Sequence, residues 1–232
     1  MTGKLLRFGG WLALAAAALF LAVQLSFLVR VWWWRDHNPQ TTAFMDASLE
    51  RLRARKPDAK LQQKWVAYDR ISPSLKRAVV AAEDAKFSEH EGFDWDAIEK
   101  AMEKNRKKGK VVVGASTISQ QLAKNLFLSA DRTPWRKGQE ALITVMIEQV
   151  MDKRRILEIY LNVIEWGEGI FGAEAASRHY YGVSAAALGP EPSARLAAMV
   201  PNPRFYDHNR NTAWLSKKTE IILARMPQAE LP

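Results

Sequence analysis

The chain reads as mainly α-helical, a single helical domain placed after one N-terminal membrane-spanning helix. Three observations predict this. Residues Phe8 to Val29 carry no charge. From Trp65 onward, apolar residues recur at helical spacing, with Ser, Thr or Asp opening the runs and Gly or Pro closing them. Only Val111-Val112-Val113 reads as strand.

The apolar run comes first. At ~1.5 Å rise per residue it spans roughly 30 Å of hydrocarbon. Trp32-Trp33-Trp34 follows as an interfacial anchor. A cleaved signal peptide has a shorter apolar core of about 7–15 residues and a small-x-small cleavage site, which this segment lacks. An uncleaved anchor over residues 8–34 is therefore expected, after a short N-terminus of residues 1–7. Lys4 and Arg7 precede the span, but Arg30, Arg35, Arg51, Arg53, Arg55 and Lys56 follow it. Charge alone thus leaves the orientation open. Residues 35–64 read as a stalk. Asn38-Pro39 breaks the anchor helix. Thr42 to Arg55 suits a short helix whose basic face is either solvated or set against lipid heads.

The domain of residues 65–232 is a succession of capped helices. Ser72-Pro73 gives an N-cap with Pro at the first helical position, and Leu75, Val79 and Ala82 supply the stripe. Asp94 caps a helix to about Lys108. Thr117 and Gln120 have capping-box spacing. Thr133-Pro134 opens a long helix to about Met151, and Asp152 caps the next, Lys153 to about Ile164. Gly167, Gly169 and Gly172 mark a turn-rich loop. Gly182 ends a helix, Ser184 starts another, and Pro201-Asn202-Pro203 closes one beginning near Pro192. A last helix lies around Thr212 to Arg225.

Bulk numbers bound the function only coarsely. With 232 residues the chain can bury one sizeable core beside its anchor. A formal net charge of +9 favours anionic partners, whether nucleic acid, anionic lipid heads or phosphorylated substrates, without choosing among them. The absence of cysteine excludes a disulfide framework and a Cys-based zinc site. The four histidines show no metal-ligand spacing, so no metal site is read.

Three clusters can carry chemistry. Glu83 ends the apolar run Ala78-Val79-Val80-Ala81-Ala82. It is either a surface acid at a helix end or a partly desolvated base with a raised pKa. Further on, Thr117, Gln121 and Lys124 share one helix face with Gln120 beside them, and Ile118, Leu122 and Leu126 form the opposing face. Ser116 and Thr117 sit where backbone N–H groups favour phosphate. The third cluster is Arg132, Arg136, Lys137 and Glu140, an ion-pair group or a cationic clamp for a diphosphate. The helix after Glu140 is apolar on nearly all sides, so it is deeply buried or near lipid. Asp94-Trp95-Asp96 looks like a metal-binding D-x-D motif, but capping explains both acids.

In order, these runs resemble the peptidoglycan glycosyltransferases of glycosyltransferase family 51. The matching motifs are Glu83-Asp84-x-x-Phe87-x-x-His90-x-Gly92 and Gly114-x-Ser116-Thr117-Ile118-x-Gln120-Gln121-Leu122-x-Lys124-Asn125. Arg136-Lys137-x-x-Glu140, Lys153-x-x-Ile156-Leu157-Glu158-x-Tyr160-Leu161-Asn162 and Gly169-Ile170-Phe171-Gly172-x-Glu174-x-Ala176 follow. Ala115 stands where the family commonly has a second glycine. The length is similar to the monofunctional form. The resemblance implies a lysozyme-like helical glycosyltransferase domain on the outer, periplasmic face of the cytoplasmic (inner) membrane, with the N-terminus inside. It implies polymerisation of lipid II into β-1,4 glycan by an inverting displacement, with undecaprenyl diphosphate released.

By the same resemblance Glu83 is the general base and Glu140 the second catalytic acid. Ser116, Thr117, Gln120, Gln121, Lys124, Asn125, Arg132, Arg136 and Lys137 bind substrate. Glu140 either orients the basic residues or helps hold a divalent cation, Mg²⁺ or Mn²⁺, the one cofactor in view. Removing either carboxylate is expected to cripple turnover and leave the fold intact. The partners implied are lipid II, the growing glycan strand, the membrane and other cell-wall synthase or division proteins, with no nucleic acid. A glycoside hydrolase would use a lone glutamate too, but it has no diphosphate for the basic clusters to hold. A membrane-anchored scaffold for acidic partners would leave the Glu83 and Gln120-Gln121-Lys124 group unexplained.

Overall fold

The computed structural model describes residues 2–110, 112, 114–131 and 133–232, with side chains from residue 9 onward. Two compact units emerge, Met1–Asn38 and Pro39–Pro232. The first is the helix α1 (Thr2–Asp36), which includes a stretch, Gly9–Asp36, long and apolar enough to cross a membrane.

The second unit is helical with one small sheet. Local signals set most helix starts. Ser72 caps α3 (Pro73–Glu83), accepting from the Ser74 amide while donating to the Leu188 carbonyl at 2.6 Å. Asp94 caps α4 (Trp95–Lys108), which stops at Gly109 in the left-handed conformation. Thr117 and Gln120 form a complete capping box on α5 (Ile118–Phe127). Thr133 and Asp152 cap α6 (Pro134–Val150) and α7 (Lys153–Val163). The chain ends with α8 (Ala173–Tyr181), α9 (Pro190–Met199), α10 (Pro203–His208) and α11 (Ala213–Arg225). The helix expected near Pro192 begins slightly earlier, because Pro190 takes the first turn.

One layer of the core joins α3, α9 and α11; the other joins α5, α6 and α7. Leu75, Val79, Leu196 and Leu215 are buried in the first, and Ile118, Leu122, Ile143 and Ile147 in the second. The apolar α6 faces both ways: Ile143 and Ile147 are buried, while Leu142 and Val145 are exposed.

Strand placement differs from the sequence expectation. Val112 has no regular structure, and Val111 and Val113 lie outside the described residues. The glycine-rich loop instead folds into β2 (Glu165–Gly167) and β3 (Ile170–Phe171), an irregular antiparallel pair. Strand β1 (Gln62–Gln63) joins β3 in parallel. The stretch expected as a stalk thus holds β1 and α2 (Ala43–Arg53), and from Pro39 it belongs to the second unit, where α2 packs on α5.

Asn162 fastens the following segment to α7. Its amide donates to the Val66 carbonyl and its oxygen accepts from the Val66 amide, both at 2.9 Å. The same turn makes Gly172 obligatory. Its φ is +80°, and a Cβ there would lie 2.6 Å from the Asn162 carbonyl oxygen. Gly172→Ala is expected to destabilise the domain by about 2–4 kcal/mol, lowering the thermal midpoint of the detergent-solubilised chain by roughly 5–15 °C. A midpoint within a degree of wild type would contradict that reading of the turn.

Candidate active site

Helices α2, α5 and α7 and residues 200–204 enclose a cleft of about 460 Å³. Gln121, Lys124 and Asn125 enter it from α5, Phe44 from α2 and Tyr160 from α7. A larger concavity of about 690 Å³ runs along α4, lined by Trp95, Ile98, Met102 and three charged side chains. It lacks the convergent polar set of the first, which makes the smaller cleft the candidate site.

Glu83 is the last residue of α3, whose apolar face is buried, and it adjoins the cleft through Gln121. Its Oε2 accepts from Gln121 Nε2 at 2.8 Å, and Gln121 Oε1 accepts from the Tyr160 hydroxyl at 2.8 Å. Burial pushes the Glu83 carboxyl above its ordinary range, outweighing the Gln121 hydrogen bond and the ammonium groups of Lys218 and Lys124. Burial, with Glu83 and Asp84 nearby, holds the Tyr160 phenol far above its usual value.

Asp84 does not face the cleft chemistry; it knots the site's backbone. One oxygen meets His90 Nε2 at 2.9 Å and the other accepts from the Ile118 amide at 3.0 Å. His90 Nδ1 in turn accepts from the Gly92 amide, which makes Nε2 the protonated nitrogen. Thr117 donates to the Gly92 carbonyl at 2.7 Å. Gly92 has φ +86°, and a Cβ there would sit 2.8 Å from Thr144 Cγ2, so the turn is locked against α6.

The third cluster closes around Glu140, which is buried while Lys137 stays about half exposed. Arg136 and Lys137 each bond one of its oxygens. Lys137 also reaches the Ser116 hydroxyl at 3.4 Å. Burial lowers the Lys124 ammonium; Arg136 and Lys137 lower it further, while Glu140 and Glu83 act to raise it.

The expected residues thus divide. Gln121, Lys124 and Asn125 line the cleft, Glu83 sits behind it on Gln121, and Ser116, Arg136, Lys137 and Glu140 form the adjoining basic cluster. Thr117 and Gln120 turn inward and are occupied by the capping box, so they position the helix rather than line the cleft. Gln121 is likewise engaged at both amide ends. Arg132 lies outside the described residues. Asp94 is a cap, and Asp96 pairs with exposed Lys86 at 2.8 Å, so the D-x-D pattern serves local structure.

Sequence reading gave no role to Tyr160, Lys218 or Arg204. Tyr160 had a signal, its place in a quoted motif. The cleft-lining pair of Arg204 and Glu165, 2.7 Å apart, joins segments distant in sequence and had none.

A resident divalent cation does not fit these residues. Both Glu140 oxygens are taken by cations, and Lys124 adds a third positive charge nearby. No group of three His, Asp or Glu suited to a metal occurs among the described residues.

The transglycosylase family model matches residues 49–227. The biosynthetic peptidoglycan transglycosylase of Nitrosospira multiformis is 63% identical over 215 residues, covering 93% of this chain and 94% of that protein. Its namesake from Janthinobacterium sp. (strain Marseille) is 61% identical over 96% of both chains. That of Chromobacterium violaceum is 62% identical over 94% of this chain and 96% of its own.

Proposed function

The chain belongs to the transglycosylase family, and we propose that it polymerises lipid II into β-1,4 glycan strands with Glu83 as the general base. The broader activity, glycosyl transfer in peptidoglycan synthesis, follows from relatives of that name matched along nearly their whole length. The finer reading is supported chiefly by one observation: a carboxylate with a raised pKa, hydrogen-bonded at 2.8 Å to Gln121, at a cleft flanked by clustered cations.

In this reading the 4-hydroxyl of the acceptor GlcNAc gives its proton to Glu83 as its oxygen attacks the anomeric carbon of the donor MurNAc. The bond from that carbon to the diphosphate oxygen breaks, and undecaprenyl diphosphate leaves. Attack opposite the leaving group turns an α bond into a β bond in one displacement. Negative charge grows on the departing diphosphate, and fixed cations in a poorly solvated cleft stabilise it well. Lys124 serves this directly. Lys137, Arg136 and the Ser116 hydroxyl extend the positive field, and Glu140 holds that pair in place. We further infer that α1 anchors the domain in the inner membrane with the cleft on the periplasmic side.

The test is incubation of the detergent-purified full chain with labelled lipid II. A ladder of glycan polymer with released undecaprenyl diphosphate is expected. Shortening of preformed strands without polymer would replace this reading with a hydrolase. Salt-sensitive binding without turnover would replace it with a scaffold.

A further inference from the structure

Building on the reading of Glu83 as base, we propose that Tyr160 is a positioning residue for it, anchoring the Gln121 amide by its oxygen so that the donating end is held against the carboxylate. A primary amide has an accepting end and a donating end of nearly equal shape. Only the donating end stabilises ionised Glu83; the other would set two acceptors against each other. The Tyr160 hydroxyl donates to Gln121 Oε1, and Gln121 Nε2 donates to Glu83 Oε2, each at 2.8 Å. Tyr160 is fully buried, so its hydroxyl has no bulk water to turn to. Its phenol stays protonated through the neutral range, held there by burial and the neighbouring acids, so it remains a donor wherever the enzyme works. With Glu83 ionised, this chain of bonds has one fully satisfied arrangement.

The groups acting on Glu83 come from several elements. Lys124 and Gln121 lie on α5, Lys218 on α11, Tyr160 on α7 and Asp84 beside it in sequence. Tyr160→Phe changes none of those charges and keeps the ring. It leaves the Gln121 oxygen without its donor, so the amide is held less firmly against Glu83, the ionised carboxylate loses stabilisation relative to the protonated acid, and the base is disarmed at neutral pH. The measurement is the pH profile of lipid II polymerisation by the full chain.

For Tyr160→Phe, kcat is expected to fall about tenfold with KM within about twofold, and the acid limb of kcat/KM to move to higher pH. In a Gln121→Ala background the same change should cost nothing more, because the link it acts through is gone. An unmoved acid limb, or an undiminished second loss in that background, would overturn the proposal. If the Phe variant melts below the assay temperature, 3-fluorotyrosine at position 160 gives the opposite test. That more acidic phenol donates more strongly and should move the limb to lower pH; no movement overturns the proposal. Glu83→Gln in the same assay separates the two readings. If it still polymerises, the base assignment and the relay fall together; if it is inactive while the limb stays fixed in Tyr160→Phe, only the relay falls.

Discussion

Glu83→Gln is expected to lower the rate of glycan polymerisation by about 10²–10⁴-fold, the range a positioned general base supplies. The substitution keeps size and hydrogen-bonding capacity, so substrate binding should change little and the loss should fall on kcat. The pH dependence has a definite sign. The Glu83 carboxyl titrates above its ordinary range because burial disfavours its charge. Activity should therefore rise with pH through that raised value, with a limb displaced upward from an ordinary carboxylate. Stability runs the other way. A folded pKa above the unfolded one means that the folded state holds the proton more tightly. The group's stabilisation is present below the unfolded pKa and is lost as pH rises through the folded one. At neutral pH the Gln variant should thus be at least as stable as wild type, measured by thermal unfolding. Retained polymerisation by Glu83→Gln would sink the base assignment.

Glu140→Ala is expected to destabilise the domain by about 3–5 kcal/mol, besides impairing turnover. The geometry explains the size. Arg136 is largely enclosed, with its Nε lacking a hydrogen-bond partner among the described residues, and Glu140 is its counter-ion. Removing the carboxylate leaves that guanidinium enclosed and uncompensated, with Lys124 and Lys137 adding repulsion. Lys137, about half exposed, contributes little to the cost because water screens it. The thermal midpoint should drop by roughly 10 °C or more. The sequence alone led to the expectation that either carboxylate could be removed with the fold intact; the geometry predicts a stability loss for Glu140 and none for Glu83. Replacing Arg136 and Glu140 together by apolar residues should recover much of the midpoint without recovering polymerisation. An unchanged midpoint in Glu140→Ala would show that the cluster does not brace the fold.

Helix starts were legible because a cap is a bond between residues two or three apart. Ser72, Asp94, Thr117 with Gln120, Thr133, Asp152 and Thr212 all sit where their spacing put them. The sheet was not legible. Gln62–Gln63 is two residues long, carries no alternating pattern and pairs with Ile170 and Phe171 far along the chain. The cleft was legible in part. Glu83, Gln121 and Lys124 stood out by type and face. The capping box was read at Thr117 and Gln120, yet both were also expected to bind substrate, and a side chain bound to its own helix end has little left to offer. Tyr160 meets Gln121 across 39 positions, a link that helical periodicity does not encode.

The knot at Asp84 has a consequence for how such a chain can change over generations. Asp84 grips the start of α5, and Thr117 grips Gly92, so the chain leaves and re-enters at one point. The described residues between Phe93 and Ser116, α4 included, belong to an excursion with pinned ends. Its length is then decoupled from the geometry of Glu83 and Gln121, since closing a longer flexible loop costs only about 0.6 kcal/mol per doubling. That arm is where insertions, deletions and wholesale rewriting can accumulate while the reaction centre stays in register.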